Sequence, residues 1–368
     1  MERSVAWAAG AQRPTGGEPL TIPAPGEAMA SGAPPAIGED DRWAAKSLEL
    51  ITRARSVSGR LPGRWDRRVR ELGKAIVNYR GARSAYVRQA LFAVLGRGSD
   101  VLMAPFGEGR LLVPADDQEI GRVVFATGGY ERLYMASAVD ELRRRGFPVE
   151  GTTFVDVGAN IGTSTVDALL TFGFARALCF EPDERSFRLL LANVAVNGLN
   201  SRVQAYRVAL SATAGASILH LSPTNRADNR LVGQAELNDV DHRRLVDVEL
   251  VTFDDMAAAG DIDPDEVGLL WLDAQGHEPF VLEGAGRALE AGIPLVMEYT
   301  PAALRETDSL DALEQLVEAH YTTVIDLHLM AAGLRSRAVI AAVDMHTLRN
   351  LDREHTDLLV VRTTDSHR

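Results

Sequence analysis

The chain has 368 residues, 46% of them hydrophobic, and a net charge of −12. That length and apolar content suit one large or two modest globular domains, and no apolar run reaches the ~18 residues of a membrane span. The single cysteine, Cys179, excludes a disulfide framework and fits a reducing, cytoplasmic setting.

No CxxC or HExxH pattern is present, so no metal site is expected. The start Met-Glu-Arg-Ser lacks an apolar core followed by a cleavage site, so no signal peptide is expected. Charge is unevenly spread. Residues 42–97 carry 14 Lys/Arg against Glu49, Asp66 and Glu71, a balance of +11 that leaves −23 on the rest. The plain reading is that this basic segment packs on the acidic remainder. The sharper one is an anionic partner: nucleic acid, a membrane surface or a phosphorylated substrate. Of these, nucleic acid is disfavoured, because aromatic residues do not interleave the basic ones.

Residues 1–40 are rich in Ala, Gly and Pro without apolar periodicity, which reads as a disordered tail. Residues 41–99 read as a basic helical appendage. Its apolar positions recur at helical spacing, as in Trp65, Val69, Leu72 and Ile76, and again in Val87, Leu91, Val94 and Leu95. A lid, a homo-oligomer contact and a partner site all stay open for it. The main domain spans 100–368. Val101-Leu-Met and Arg110-Leu-Leu-Val read as short strands around a turn at Phe106-Gly-Glu-Gly109. Residues 132–145 read as an amphipathic helix with Leu133, Met135, Val139 and Leu142 inward, preceded by Tyr130 and Glu131.

Thr153 to Val157 is β-branched and apolar, as a buried strand should be. It runs into Gly158-Ala-Asn-Ile-Gly162, and a helix follows from Thr163. A strand, a glycine-bearing turn and a helix start make a nucleotide cradle. Glycines allow close backbone approach, and the helix N-terminus offers free N–H groups. The next strand, Arg176 to Phe180, ends at Glu181, close to the ~20-residue spacing at which an acid meets a ribose. The dinucleotide pattern needs glycine where Asn160 stands. Asp156 adds a negative charge at the turn, which suits a cationic ligand better than a pyrophosphate. S-adenosylmethionine has a ribose, a sulfonium and an ammonium, and no phosphate.

Further along, residues 184–196 read as a helix and Val203 to Leu210 as a third strand, with its exit at Leu210 placed for an adenine ring. A polar loop over 222–244 holds Asn225, Asp228, Asn229, Arg230, His242 and Arg243. Val267 to Leu272 is a fourth strand ending at Asp273. The turn Asp273-Ala-Gln-Gly-His-Glu278 leads into a helix reaching Glu290, and a fifth strand ends at Glu298. Tyr321 to Leu327 and Asp357 to Arg362 close the chain as an expected antiparallel edge hairpin. This alternation predicts an α/β fold, a doubly wound, mostly parallel Rossmann-like sheet.

These residues resemble the FkbM-type methyltransferase family. The resemblance rests on Gly-Tyr-Glu131, Asp156-Val-Gly-Ala-Asn-Ile-Gly162, Phe180-Glu-Pro182, the helix end at Asn193 to Asn197, and Thr252-Phe-Asp-Asp255. It rests also on Leu272-Asp-Ala-Gln-Gly-His-Glu278 with Val281-Leu-Glu-Gly-Ala285, and on Pro294 to Glu298. Trp271 and Gln275 stand where that family often carries a lysine and an acid. The resemblance implies a class I methyltransferase sheet and methyl transfer from S-adenosylmethionine to a hydroxyl of a sugar or secondary metabolite.

The expected donor-binding set is Glu131, Asp156, Gly158, Asn160, Gly162, Thr163, Glu181, Pro182, Leu210 and Asp273. The candidates for chemistry are Asp273, His277 and Glu278, all at the carboxyl ends of strands where such sheets bind ligands. An alcohol acceptor needs a partner for its proton, and His277 has the side-chain type best suited near neutral pH. His277 as a surface histidine and Glu278 as a helix-start acid are the plain readings. Glu298 reads as a cap, and Asp254 and Asp255 as helix-start acids. Two other classes stay open. One is an NAD-dependent oxidoreductase on a Rossmann sheet, which Asn160 disfavours. The other is a non-catalytic binding protein that works through its basic segment.

Overall fold

A computed structural model describes residues 85–222, 229–232, 244–341, 343–349 and 355–363. The tail over 1–40 and most of the appendage over 41–99 lie outside these, as do Asn225, Asp228, His242 and Arg243. The described part of the basic segment is α1 (Ala85–Leu95). It buries Leu91 and Phe92 in the main core. Strands β1 (Val101–Phe106) and β2 (Gly109–Pro114) form the expected antiparallel pair. Leu102, Ala104 and Phe106 alternate inward, as do Leu111 and Val113.

Helix α2 (Ile120–Thr127) sets the ring of Phe125 5.6 Å from that of Phe92. Helix α3 (Arg132–Arg144) buries Met135, Ala138, Val139 and Leu142. Leu133 does not face inward as expected and is 70% exposed. At ~100° per residue it lies about 200° round the helix from Met135, off the buried stripe.

The centre is built from β3 (Thr153–Val157), α4 (Thr163–Leu170), β4 (Arg176–Phe180), α5 (Glu184–Val196) and β5 (Val203–Tyr206). The third expected strand stops there. The chain turns out of the sheet, and Ala209–Leu210 becomes β6 of a second sheet. That sheet also holds β7 (Gly215–His220), β8 (Arg230–Val232) and β9 (Leu245–Val251), in the order β6-β9-β7-β8.

Helix α6 (Phe253–Ala259) is capped by Thr252, whose side chain accepts from Asp255 N at 2.8 Å. After β10 (Val267–Leu272) the expected long helix is two short ones, α7 (Glu278–Glu283) and α8 (Gly286–Ala291). Asp254 accepts from Gly286 N and Arg287 N at 3.1 and 2.9 Å, so it caps α8. Then come β11 (Leu295–Tyr299), α9 (Pro301–Glu306), α10 (Leu310–His320) and β12 (Thr323–Asp326). The chain continues through α11 (Leu327–Ala331), α12 (Arg335–Ala338), β13 (Val339–Ala341) and β14 (Thr356–Val361).

The main sheet runs β5-β4-β3-β10-β11-β14-β12-β13. Neighbours from β5 to β11 are parallel. The expected terminal hairpin is modified. Strand β14 inserts between β11 and β12, antiparallel to both, and β13 is the antiparallel edge. This is a doubly wound, mostly parallel, Rossmann-like sheet. Every residue of β3 and β10 is buried because helices cover both faces. One face packs Phe154 against Phe174 and Trp271, with ring centroids 5.2 and 6.3 Å apart. The other gathers Val155, Leu270, Leu272 and Met297. Strand order reverses between β3 and β10, and a crevice opens at their carboxyl ends.

Candidate functional site

The crevice begins where β3 runs out. Gly158 has φ +83° and donates to Phe180 O at 2.9 Å, which ties the turn to β4. Asn160, at φ +46°, donates its N–H to Glu181 Oε2 at 2.8 Å. Asp183 N donates to the other oxygen, Oε1, at 2.7 Å. Glu181 is thus held upright beside the glycine turn. Burial pushes its carboxyl up to about 8. The Asn160 side-chain oxygen, Oδ1, is buried and has no hydrogen-bond partner among the described residues. Val157, Phe180, Pro182 and Leu210 complete the apolar walls, with Leu219 and Leu231 contributed by the second sheet.

Three expected donor-site residues shape this turn without lining it. Asp156 does not present charge at the mouth of the turn. It is buried, accepts from Thr165 Oγ1 at 2.5 Å, and burial raises its carboxyl to about 7. Gly162 packs against α5, where a Cβ would fall 2.7 Å from Leu190 Cδ1. Thr163 is buried in the first turn of α4. The Asn193–Asn197 helix end has a structural role too. Asn193 donates to Ile161 O at 2.8 Å and accepts from Leu112 N, and Asn197 bonds both the N–H and the carbonyl of Arg110. These amides staple β2 to α5 and to the back of the glycine turn.

A second cavity, of about 1010 Å³, lies on the other side of Asp273. Tyr130, Glu131, Leu133 and Tyr134 line it, as do Trp271, Gln275, Glu298, His328, His355 and Asp357. Asp273 and Gln275 line both cavities and so lie between them. Burial first, and Glu298 second, raise the Asp273 carboxyl to about 8. Gln275 sits at φ +53° and donates its amide to Asp273 Oδ1 at 2.6 Å and to Glu298 Oε2 at 2.9 Å. Glu131 has φ +54°, and burial together with Asp273, Asp357 and Glu298 pushes its carboxyl well above the usual range. Asn160, Gln275 and Glu131 are three of the four non-glycine residues with positive φ among the described residues, which marks the crevice as locally strained backbone.

His277 and Glu278 are not brought to this second cavity. His277 turns to the Glu181 side, 3.0 Å from Ser211 Oγ through Nε2 and stacked on Phe280. Burial lowers its imidazole to about 4, so it stays neutral at physiological pH. Glu278 is buried and accepts from Ala274 N at 2.9 Å. Glu278 brackets its own turn and lines neither cavity, whereas His277 lines the cavity that holds Glu181 and Asp273. Conversely, sequence reasoning missed Gln275, Tyr134, His328, His355 and Asp357. The signal that was available is position. His328 follows the end of β12, and Asp357 lies near the start of the antiparallel β14, so both reach the edge where β3 and β10 end.

Among the described residues, no group of three or more His, Cys, Asp or Glu is placed to hold a metal ion. Among them too, no helix is long and apolar enough to cross a membrane.

Comparison with known proteins adds the following. Residues 156–322 match the family model described as the methyltransferase FkbM domain. No curated protein matches the chain. Among solved structures, the chain is similar to an FkbM methyltransferase from Methylobacillus flagellatus KT, at 20% identity and a TM-score of 0.35. That match covers 57% of this chain and 43% of the other, so the chain spans less than half of that protein's length. An O-methyltransferase from Bacillus cereus, solved with SAH, matches at 12% identity and a TM-score of 0.33, over 63% and 80% of the two chains. TYW2 from M. jannaschii, solved with AdoMet, matches at 10% identity and a TM-score of 0.33, over 71% and 84%. The matched segment runs from the Asp156 turn through the Asp273–Glu278 turn and on past β11, so residues 156–322 match the methyltransferase FkbM domain.

Proposed function

We propose that this protein transfers a methyl group from S-adenosylmethionine to a hydroxyl oxygen of a sugar or secondary metabolite. One observation carries the donor assignment: Glu181 and the unpartnered Asn160 Oδ1 stand together, buried, at the end of the glycine turn. A buried acceptor without a partner costs free energy unless a ligand donates to it. A carboxylate beside it can accept from both hydroxyls of a ribose. When bound, S-adenosylmethionine supplies a methyl group already activated by its sulfonium.

The protein's own work is then placement and exclusion of water. Glu181 holds a ribose. Phe180, Pro182 and Leu210 offer an apolar slot for a purine. Asp273 lines both cavities, and an ionised carboxylate there favours a cation. The larger cavity suits a hydroxylated acceptor. Its carboxylates accept from hydroxyl groups, and its aromatic rings pack on C–H faces. Asn160 in place of a glycine, and the acids around Asp273, disfavour a pyrophosphate and with it the oxidoreductase reading.

Calorimetry tests the proposal. S-adenosylmethionine and S-adenosylhomocysteine should bind the wild type, weaken strongly with Glu181→Ala, and leave NADH without heat. A folded wild type that binds neither methyl donor nor product overturns it. A screen of methyl glycosides and polyketide alcohols, read as S-adenosylhomocysteine formed, tests the acceptor class.

A further inference from the structure

The larger cavity contains a histidine–carboxylate pair that the donor site does not use. His328 Nε2 lies 2.9 Å from Asp357 Oδ2, and the two side chains are only 19% and 16% exposed. The imidazole stacks on Tyr134, with centroids 4.3 Å apart and planes 5° from parallel. His355 closes the edge at 5.6 Å and 88°. Position is fixed from below as well. Asp326 caps α11 through Leu329 N at 2.9 Å and accepts from Thr356 Oγ1 at 3.1 Å. The ring therefore has one nitrogen engaged by a carboxylate, one face stacked on Tyr134 and an edge-on contact with His355. Its other nitrogen, Nδ1, has no hydrogen-bond partner among the described residues.

We propose that His328 is the general base for the acceptor hydroxyl and that Asp357 is its positioning residue. This rests on the methyl-transfer reading above. The balance is simple. The acceptor O–H bond breaks and its proton goes to His328 Nδ1. The oxygen forms the new bond to the methyl carbon as the bond from that carbon to the donor sulfur breaks. The proton leaves later to solvent through the open cavity. Asp357 accepts Nε2–H, which selects the tautomer with a free Nδ1 lone pair and stabilises the imidazolium. No other imidazole lining the cavity has such a partner: His355 shows only the ring contact, and His277 lies on the nucleotide side. Besides its contacts with Asp357, Tyr134 and His355, the titratable or charged residues lining the same cavity as His328 are Tyr130, Glu131, Arg132, Asp273 and Glu298.

Two readouts test the assignment on the full chain. The first needs no acceptor. Nitrogen-15 spectra of the histidine side chains, recorded with S-adenosylhomocysteine bound, should show neutral His328 as the Nε2–H tautomer, with that proton shifted in Asp357→Asn. An Nδ1–H tautomer overturns the proposal, because no lone pair then faces the acceptor. The second uses the best alcohol from a panel of methyl glycosides. His328→Asn should keep donor affinity, lose ~10²–10⁴-fold in kcat, and lose the acid limb of the pH profile. Asp357→Asn should lose less and shift that limb. Near-wild-type turnover by His328→Asn with the limb intact overturns the proposal. Failure of the wild type to bind donor is a different result. It removes the methyl-transfer reading itself, and the base assignment falls with it.

Discussion

Gly158 lies so close to the carbonyl of Asp273 that a Cβ on it would fall 1.9 Å from that oxygen. The glycine turn after β3 and the acidic turn after β10 are therefore one packed unit. Asp273 N donates back to Val157 O at 3.0 Å and locks the same contact from the other side. Gly158→Ala meets both the clash and a φ of +83°, which L residues with a side chain rarely adopt. The expected outcome is loss of donor binding with destabilisation beyond ~4 kcal/mol, or no folded protein. Thermal unfolding and donor calorimetry check it. A stable Gly158→Ala protein with wild-type affinity would refute the packing argument.

Donor binding should release protons. Glu181 and Asp273 are both raised to about 8, chiefly by burial. A ribose hydroxyl favours ionised Glu181, and a sulfonium favours ionised Asp273. Affinity for S-adenosylmethionine should therefore tighten as pH rises from 6 to 7.5. Heats measured in buffers of different ionisation enthalpy give the number of protons released, and zero release contradicts the prediction.

The free protein should lose stability as pH rises from 6.5 to 8. Folded Asp156 and Glu278 sit at about 7, and Glu181 and Asp273 at about 8, far above unfolded carboxyls. The folded state thus holds more protons than the unfolded one in this window, so stability falls with pH. His277, lowered to about 4, works the other way, but only below its unfolded pKa of ~6.5. Melting temperatures across pH 6.5–8 check the sign. A rising Tm would show that other groups dominate.

Glu141 joins α3 to the C-terminal segment. Its buried carboxylate takes guanidinium hydrogen bonds from Arg144, Arg145 and Arg335, the last at 2.5 Å. Burial pushes it up, yet the three arginines bring it down to about 2. Glu141→Gln should cost about 2–3 kcal/mol, below the usual range for a broken buried pair, because Arg144 and Arg335 are half exposed and can rehydrate. Urea unfolding measures this, and a loss under ~0.5 kcal/mol, the range of ordinary surface changes, would contradict it.

Gln275 donates one amide to two carboxylates, Asp273 and Glu298. Gln275→Glu replaces the shared donor with a third acid, so it should raise the pH needed for donor binding and lower kcat. Unchanged pH dependence in that variant would show that the amide bridge has no role in the site.

The local patterns were enough to place β3, β4, β10 and α5 almost to the residue, because β-branched runs, glycine turns and helical stripes are properties of neighbours in the chain. The cavity at the glycine turn was legible for the same reason: Gly158, Asn160 and Glu181 belong to one strand–turn–helix–strand unit. Leu133, the break between α7 and α8, and the exit of β6 into a second sheet were not legible, since each depends on what packs against it. The direction of a side chain was equally hidden. Asp156 and Glu278 turn inward to Thr165 and Ala274, and His277 turns toward Ser211. The second cavity was decided by tertiary structure alone. Strand β14 inserts beside β11, which sets Asp357 opposite Glu298 in register and within reach of His328. Those residues are brought together across long stretches of chain by sheet order, and no short-range pattern encodes that order.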